Sequence, residues 1–145
     1  MEGKGNVMRR CGDCTECCKV MDVKELDKEL FQDCEHRTDK GCSRYGTRPE
    51  ACMRWYCGWA AGLGKGSCRP DKIGVVWDGT EIGPVTLFKA YKTRRTFRGE
   101  RMIEDMTRDH VVMIVTRTER TFKGPEEPTL FVIETLNQAA ASEDK

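Results

Sequence analysis

The stretch Cys11-Gly-Asp-Cys14-Thr-Glu-Cys17-Cys18 decides how the first half of this 145-residue chain folds. It contains two overlapping C-x2-C units, and such units let a chain wrap around a metal ion so that thiolates converge on it at about 2.3 Å. If the stretch were helical, at about 100° per residue, its four thiols would share one arc of about 120°. Because polar residues and a glycine separate the cysteines, metal ligation explains the pattern better than burial as small hydrophobic side chains.

All nine cysteines of the chain lie between Cys11 and Cys68. The first twenty residues have no apolar run of the kind that a secretory signal carries, so we expect a cytoplasmic protein whose thiols stay reduced. Clustered cysteines in a reducing compartment are metal ligands or catalytic groups more often than disulfides, and an odd number cannot pair completely. The cysteines therefore predict a thiolate metal site.

A second group of cysteines follows the first, at Cys34, Cys42, Cys52 and Cys57. Pro49 suits the first position of a helix, and Glu50 complements the positive end of that helix. Cys52 would lie in its first turns, whereas Cys57 would point about 140° away from Cys52 on an unbroken helix. Either the helix ends near Gly58 and Cys57 turns toward the same ion, or the two thiolates bind different metals.

The order of the cysteines from Cys11 to Cys57 resembles that of the YkgJ-type CxxCxxCC cysteine-cluster family, whose members are described as zinc- or iron-chelating domain proteins. After C-x2-C-x2-C-C and one further cysteine comes C-x2-Y-x2-R-P-x2-C-x4-C, with Tyr45, Arg48 and Pro49 in place. Cys68 departs from the family pattern, and it is either an extra ligand or a free thiol. The resemblance implies that eight residues bind metal: Cys11, Cys14, Cys17, Cys18, Cys34, Cys42, Cys52 and Cys57.

The second half of the chain has the pattern of an ordinary small α+β unit. The glycine-rich stretch 58–67 does not fit the phosphate-loop motif and is expected to be a flexible linker. Apolar periodicity then predicts a helix at Arg98–Arg108 and strands at Ile73–Trp77, Val85–Tyr91, His110–Thr116 and Thr129–Thr135. We expect an α+β fold in which a small metal-stabilised cysteine-rich module, 1–68, packs on a small mixed α/β unit, 69–138, as one compact domain with a frayed tail at 139–145.

Charge and hydropathy exclude a membrane protein. Lys and Arg number 25 against 24 Asp and Glu, and the longest apolar run, Val111–Val115, falls far short of a membrane span, which needs about 20 residues. Residues 89–123 hold ten Lys and Arg against five acids, with Tyr91 and Phe97 nearby. A solvated sheet edge with charged gatekeepers explains this surface better than nucleic-acid binding. The expected partners are metal ions. A protein partner is compatible with these patterns, and nucleic acid is not expected.

Three functions fit these patterns, and whether the protein is an enzyme stays open because no catalytic constellation stands out. The leading one is a thiolate metal-binding protein whose metal organises the N-terminal half. The alternatives are an iron–sulfur or metal-dependent redox enzyme and a zinc-dependent nucleic-acid-binding protein. Closed four-thiolate sites favour Zn²⁺ over iron, and eight thiolates exceed the needs of one tetrahedral ion, so we expect more than one ion or a polynuclear cluster. His36 fits a solvated loop better than a ninth ligand.

Overall fold

The structure is a computed structural model, and it describes residue 9 and residues 14–38, 41–43, 47, 52 and 55–143. The described residues form four helices and two sheets, which confirms the α+β class. In chain order the elements are α1 (Glu16–Val20), β1 (Arg37–Thr38), β2 (Gly41–Cys42), α2 (Pro70–Ile73), β3 (Val75–Ile82), β4 (Val85–Lys92), α3 (Phe97–Met106), β5 (Val111–Val115), β6 (Arg120–Lys123) and α4 (Glu126–Glu143).

The larger sheet has the strand order β3-β4-β5-β6. Strands β3 and β4 are antiparallel and are joined by a tight turn in which Gly83 has a φ of +61°, a conformation that favours glycine. Strands β4 and β5 are parallel, with α3 in the connection between them, and β6 pairs antiparallel with β5. A parallel pair needs such a crossover, because a short turn cannot return the chain to the same end of the sheet.

Side chains of β3 alternate between two cores, one on each face of the sheet. Val75 and Trp77 of β3 pack with Ile73 of α2 and Ile103 of α3. On the opposite face, Val76 belongs to a cluster that also includes three residues of the cysteine-rich region and one of α4: Val20, Cys57, Trp59 and Val132. The sheet is therefore covered by α2 and α3 on one face and by the cysteine-rich region and α4 on the other.

Helix α3 is fixed to the sheet at its first turn. The Thr96 hydroxyl accepts a hydrogen bond from the Gly99 amide at 2.9 Å and donates one to the Ile73 carbonyl at 2.6 Å. A β-carbon at Gly99 would collide with that same carbonyl oxygen, so only glycine permits this approach. The helix therefore begins where the sequence predicts and lies against α2.

The sequence predictions for the second half hold for three elements: the strand at Val85–Tyr91, the helix at Arg98–Arg108 and the strand at His110–Thr116 correspond to β4, α3 and β5. The strand predicted at Ile73–Trp77 begins only at Val75, because α2 occupies Pro70–Ile73. The sequence does not predict strand β6, because Arg120–Lys123 has only one apolar residue.

The strand predicted at Thr129–Thr135 is wrong, because α4 runs from Glu126 to Glu143. The apolar run 130–133 is typical of a strand, but Val132 and Leu136, four residues apart, both pack on the sheet. Glu126 and Glu127 also lie in the first turn, where they complement the helix dipole. The helix includes residues 139–143, for which the sequence predicts a frayed tail. Within the described residues, no helix combines the length and hydrophobicity of a bilayer-spanning segment.

The glycine-rich stretch 58–67 packs against the sheet, although the sequence predicts a flexible linker. Trp59 and Ala60 are buried, and the Gly58 amide donates to the Trp77 carbonyl at 2.7 Å. The Arg9 guanidinium lies over the Trp59 ring at 5.4 Å and donates to carbonyl oxygens of Trp59, Leu63, Gly64 and Lys65. This stretch therefore joins the two parts of the chain through the core.

Candidate metal centre

Helix α1 positions the described cysteines of the first motif. Cys17 and Cys18 lie within it, Cys14 precedes it by one residue after Thr15, and Cys11 lies outside the described residues. Val20, which is fully buried, holds the helix on the sheet, and Cys17 packs against the same cluster. The first motif is thus attached to the core at its helical end.

Glu16 fixes α1 a second time. Its carboxylate is buried, accepts a hydrogen bond from the Thr93 hydroxyl at 2.6 Å and forms an ion pair with Lys19 at 3.0 Å. Thr93 follows directly after β4, so this contact ties the cysteine motif to the end of a central strand. Nothing in the sequence pattern distinguishes Glu16 from the other interleaved polar residues of the motif.

Cys34, the first cysteine of the second group, lies against α1. Its amide donates to the Cys18 carbonyl at 2.9 Å, and its Sγ accepts a hydrogen bond from the His36 amide at 3.4 Å. The β1–β2 hairpin then follows, in which Arg37 pairs with Cys42. The loop before Cys34 is held by Phe31, whose carbonyl accepts from Arg117 at 2.9 Å. Residues far apart in the sequence therefore meet at the end of α1.

Lys28 is the residue of this region that the sequence pattern does not reveal. It belongs to a run of alternating charges, yet it is only 5% exposed, and its Nζ donates to the Met21 carbonyl. Burial lowers the pKa of Lys28, and electrostatic interaction with Cys34, Cys18 and Cys17 partly opposes that shift.

The structure places three further cysteines, Cys52, Cys57 and Cys68. Cys57 is buried in the cluster that Cys17 contacts, and the single described residue of the predicted helix at Pro49, Cys52, is helical. Cys68 is half-buried and packs against both cores. If Gly64 were replaced by a residue with a β-carbon, that atom would lie 3.7 Å from the Cys68 Sγ. Tyr45, Arg48 and Pro49, which carry the resemblance, lie outside the described residues.

The described residues do not form a finished metal site. Among them, no group of three or more His, Cys, Asp or Glu side chains could hold a metal ion as placed. The histidines have other neighbours: His36 lies 3.5 Å from the Glu35 carboxylate, and His110 packs edge-on against Phe88 at 5.0 Å. What the structure brings together is the backbone of Cys18 and Cys34.

The two aromatic residues noted in the basic segment 89–123 differ in exposure. Tyr91 is buried in the core, and Phe97 is the aromatic residue that remains exposed, at 79%. Several cations have intramolecular partners, with Lys92 lying 2.6 Å from Glu100 and Arg94 donating to the Asp71 carbonyl at 3.0 Å. A cleft of about 310 Å³ beside α3 is lined by both signs of charge, since Lys92, Arg101 and Lys123 face Glu100 and Glu104 there.

Comparisons with known proteins found no family model, no curated protein and no solved structure that matches this chain.

Proposed function

We propose that this protein binds zinc or iron through cysteine thiolates and that the metal organises the N-terminal half of the chain. The observation that supports it most is the contact between one cysteine of each group, in which the Cys34 amide donates to the Cys18 carbonyl at 2.9 Å. The His36 amide also donates to the Cys34 sulfur. This contact orients the Cys34 sulfur beside the backbone that follows it.

The composition of the interior supports the same proposal. Among the described residues from 14 to 57, only three apolar side chains are buried: Val20, Val23 and Cys57. The other buried residues there are polar or charged: Thr15, Glu16 and Lys28. An interior of this kind supplies little hydrophobic stabilisation. A structural zinc contributes about 10–16 kcal/mol and can take the place of a core.

The proposed ligands are the eight cysteines of the family pattern: Cys11, Cys14, Cys17, Cys18, Cys34, Cys42, Cys52 and Cys57. When bound, zinc supplies a cross-link between these segments and no redox chemistry. We propose zinc over iron because closed four-thiolate sites favour it, and more than one ion or a polynuclear cluster because one tetrahedral ion uses only four thiolates. A reducing, cytoplasmic location would keep these thiols available.

The test is elemental analysis and visible absorption of the full chain purified without oxygen. We expect stoichiometric zinc and a colourless protein, Cys34→Ser with less metal than the wild type, and Cys68→Ser as the matched control with unchanged metal. Wild-type protein without bound metal, or equal loss in both variants, would refute the proposed site.

Iron is the outcome that would replace the structural role with a redox role. Iron–sulfur clusters are held by cysteine thiolates, and hydrogen bonds to the sulfurs set their reduction potentials, so the His36 amide on Cys34 suits that chemistry as well. A brown protein with stoichiometric iron would make zinc wrong and favour the redox-enzyme alternative.

A further inference from the structure

Helix α3 has two faces with different neighbours. At about 100° per residue, Met102, Ile103 and Met106 point toward the core that α3 shares with α2 and β3. The residues of the other face span an arc of about 120° and line the cleft of about 310 Å³. They are Phe97, Glu100, Arg101, Glu104 and Thr107. One face of α3 therefore holds the helix on the sheet, and the other borders an open cleft.

The sheet forms the opposite wall of this cleft. Lys123 of β6 pairs with Val112 of β5, and the side chains of paired residues lie on the same face of a sheet. Val112 and Ile114, two residues apart on β5, both belong to the core that α3 covers. Lys123 therefore lies on the α3 side of the sheet, and Ile114 and the buried Ile103 give the cleft apolar surface.

The charges that line the cleft are not all compensated within it. Lys92 and Glu100 lie 2.6 Å apart and compensate each other. Lys123 is exposed and forms no ion pair with the described residues. Arg101 lies 3.9 Å from Asp105, and an exposed pair at that distance contributes little. Lys123 and Arg101 are therefore available to a bound anion.

Four exposed arginines surround Phe97 in the sequence, and they do not protect a sheet edge. Arg94 and Arg95 precede α3, whereas Arg98 and Arg101 belong to it. The edge strand β3, where gatekeeper charges would be expected, contains no lysine or arginine. The sequence-based explanation therefore fails for these four residues, and their positive field would draw an anion toward α3.

A nucleotide has the chemistry that these groups would recognise. Its base can stack on the exposed ring of Phe97, because every base has an aromatic face. Its phosphate can bind Lys123 and Arg101, and the Glu104 carboxylate can accept a hydrogen bond from the amino group of a base such as cytosine. A cleft of about 310 Å³ lies at the lower end of the range for small-molecule sites, which suits one base with its sugar.

We propose that the cleft beside α3 binds a nucleotide, with Phe97 stacked on the base, Lys123 and Arg101 on the phosphate, and Glu104 favouring bases that carry an amino group. A free mononucleotide and one nucleotide of a single strand share this chemistry. The cysteine-rich region packs on the other face of the sheet, so this inference does not depend on metal binding.

Isothermal titration calorimetry of the full chain measures the binding of cytidine monophosphate, uridine monophosphate and inorganic phosphate. We expect cytidine monophosphate to bind most tightly, because uracil lacks the amino group and inorganic phosphate lacks the base. Phe97→Ala should bind it about 5–100-fold more weakly, as is typical when a stacking side chain is lost, and Phe97→Tyr should retain the affinity. Phe131→Ala, at an exposed position of α4 on the opposite face, is the matched control and should bind like the wild type.

A single strand of about ten cytidines, a length within the usual range of one binding domain, distinguishes the two sources of the nucleotide. Tighter binding of the strand than of cytidine monophosphate would identify single-stranded nucleic acid as the ligand, and equal or weaker binding would identify the free nucleotide. In the strand titration, Lys123→Gln should reduce the slope of log affinity against log salt by about one, and Lys24→Gln, at an exposed position of the cysteine-rich region, should leave it unchanged.

Four outcomes would contradict the proposal. Failure of both cytidine ligands to bind would overturn it, as would binding only to vesicles of phosphatidylserine and phosphatidylcholine, since the arginines and Phe97 would then serve a lipid surface. An unchanged Phe97→Ala variant, or equal losses in Phe97→Ala and Phe131→Ala, would place binding outside the cleft. Equal affinity for cytidine and uridine monophosphate would overturn the role of Glu104.

Discussion

Glu16 stabilises the fold from within the first cysteine motif. It lies between Cys14 and Cys17, where its neighbours in the sequence suggest a solvated spacer, yet its carboxylate is buried and bound by Thr93 and Lys19. Arg9 likewise looks like a flanking charge and instead caps carbonyl groups of the glycine-rich stretch. Side-chain identity alone does not distinguish these residues from exposed ones, because Thr93 is 77 residues from Glu16 and Gly64 is 55 residues from Arg9.

Replacement of Glu16 should therefore destabilise the protein. Glu16→Gln weakens the hydrogen bond from Thr93 and removes the ion pair with Lys19, and we expect it to cost about 1–3 kcal/mol in the free energy of unfolding. Glu29→Gln, at an exposed position of the same region, should change stability by less than about 0.5 kcal/mol. Denaturant titration of the three proteins measures this. Equal stability of the two variants would mean that the buried contact contributes nothing.

Asp71 gives a prediction about pH. Two hydrogen bonds of 2.6 Å from the Arg69 guanidinium hold the pKa of Asp71 below its usual range. Because the folded pKa lies below the unfolded value of about 3.9, the stabilisation is complete above that pH and is lost as pH falls through the lowered pKa. We expect Asp71→Asn to be about 1 kcal/mol less stable than the wild type near neutral pH.

That difference between Asp71→Asn and the wild type should disappear in acid, which denaturant titration as a function of pH measures. Asp109→Asn, at an exposed position, is the control and should follow the wild type throughout. A constant difference for Asp71→Asn from neutral to low pH would show that the Arg69 contact does not set its stability.

At the scale of elements, the sequence predicts best where a segment's apolar pattern agrees with its burial. Val111–Val115 is continuously apolar and lies in a central strand of the sheet, where four of its five residues are buried. Prediction fails at α4, where an apolar run favours a strand locally and only the spacing of Val132 and Leu136 against the sheet favours the helix. It also fails at β6, whose pairing with β5 is a tertiary contact with no apolar signature.

A pair of alanine substitutions tests α4 against the strand that the sequence predicts. In a strand, Leu130 and Val132 would share one face and be equally buried, whereas in the structure Leu130 is 53% exposed and Val132 is 0% exposed. We expect Val132→Ala to lower the free energy of unfolding by about 2 kcal/mol and Leu130→Ala by much less. Similar losses for the two variants in thermal or denaturant unfolding would favour the strand.

At the scale of the whole molecule, the two parts of the chain differ in what holds them together. The sheet has apolar side chains on both faces, whereas the described residues between Cys14 and Cys57 include a few buried apolar side chains and several polar contacts. The sequence identifies the cysteines and their spacing, and it therefore predicts the class of site. It cannot predict which backbone groups bring Cys18 and Cys34 together, or that Lys28 is buried, because those features arise from tertiary contacts.

Metal removal should therefore loosen one part of the molecule selectively. After treatment with a strong chelator and a thiol reductant, we expect faster hydrogen exchange at the amides of Met21, Cys34 and Ser43, whose hydrogen bonds lie in the cysteine-rich region. Amides of β4 and β5 should keep their protection, because they are paired on both sides within a sheet that has its own core. The matched control is the same chelator saturated with zinc beforehand, and adding zinc back should restore the lost protection. Unchanged exchange at Cys34 and Met21, in protein shown to have lost its metal, would mean that this region folds on its polar contacts alone. Loss of protection across β4 and β5 as well would mean that the whole molecule unfolds as one cooperative unit.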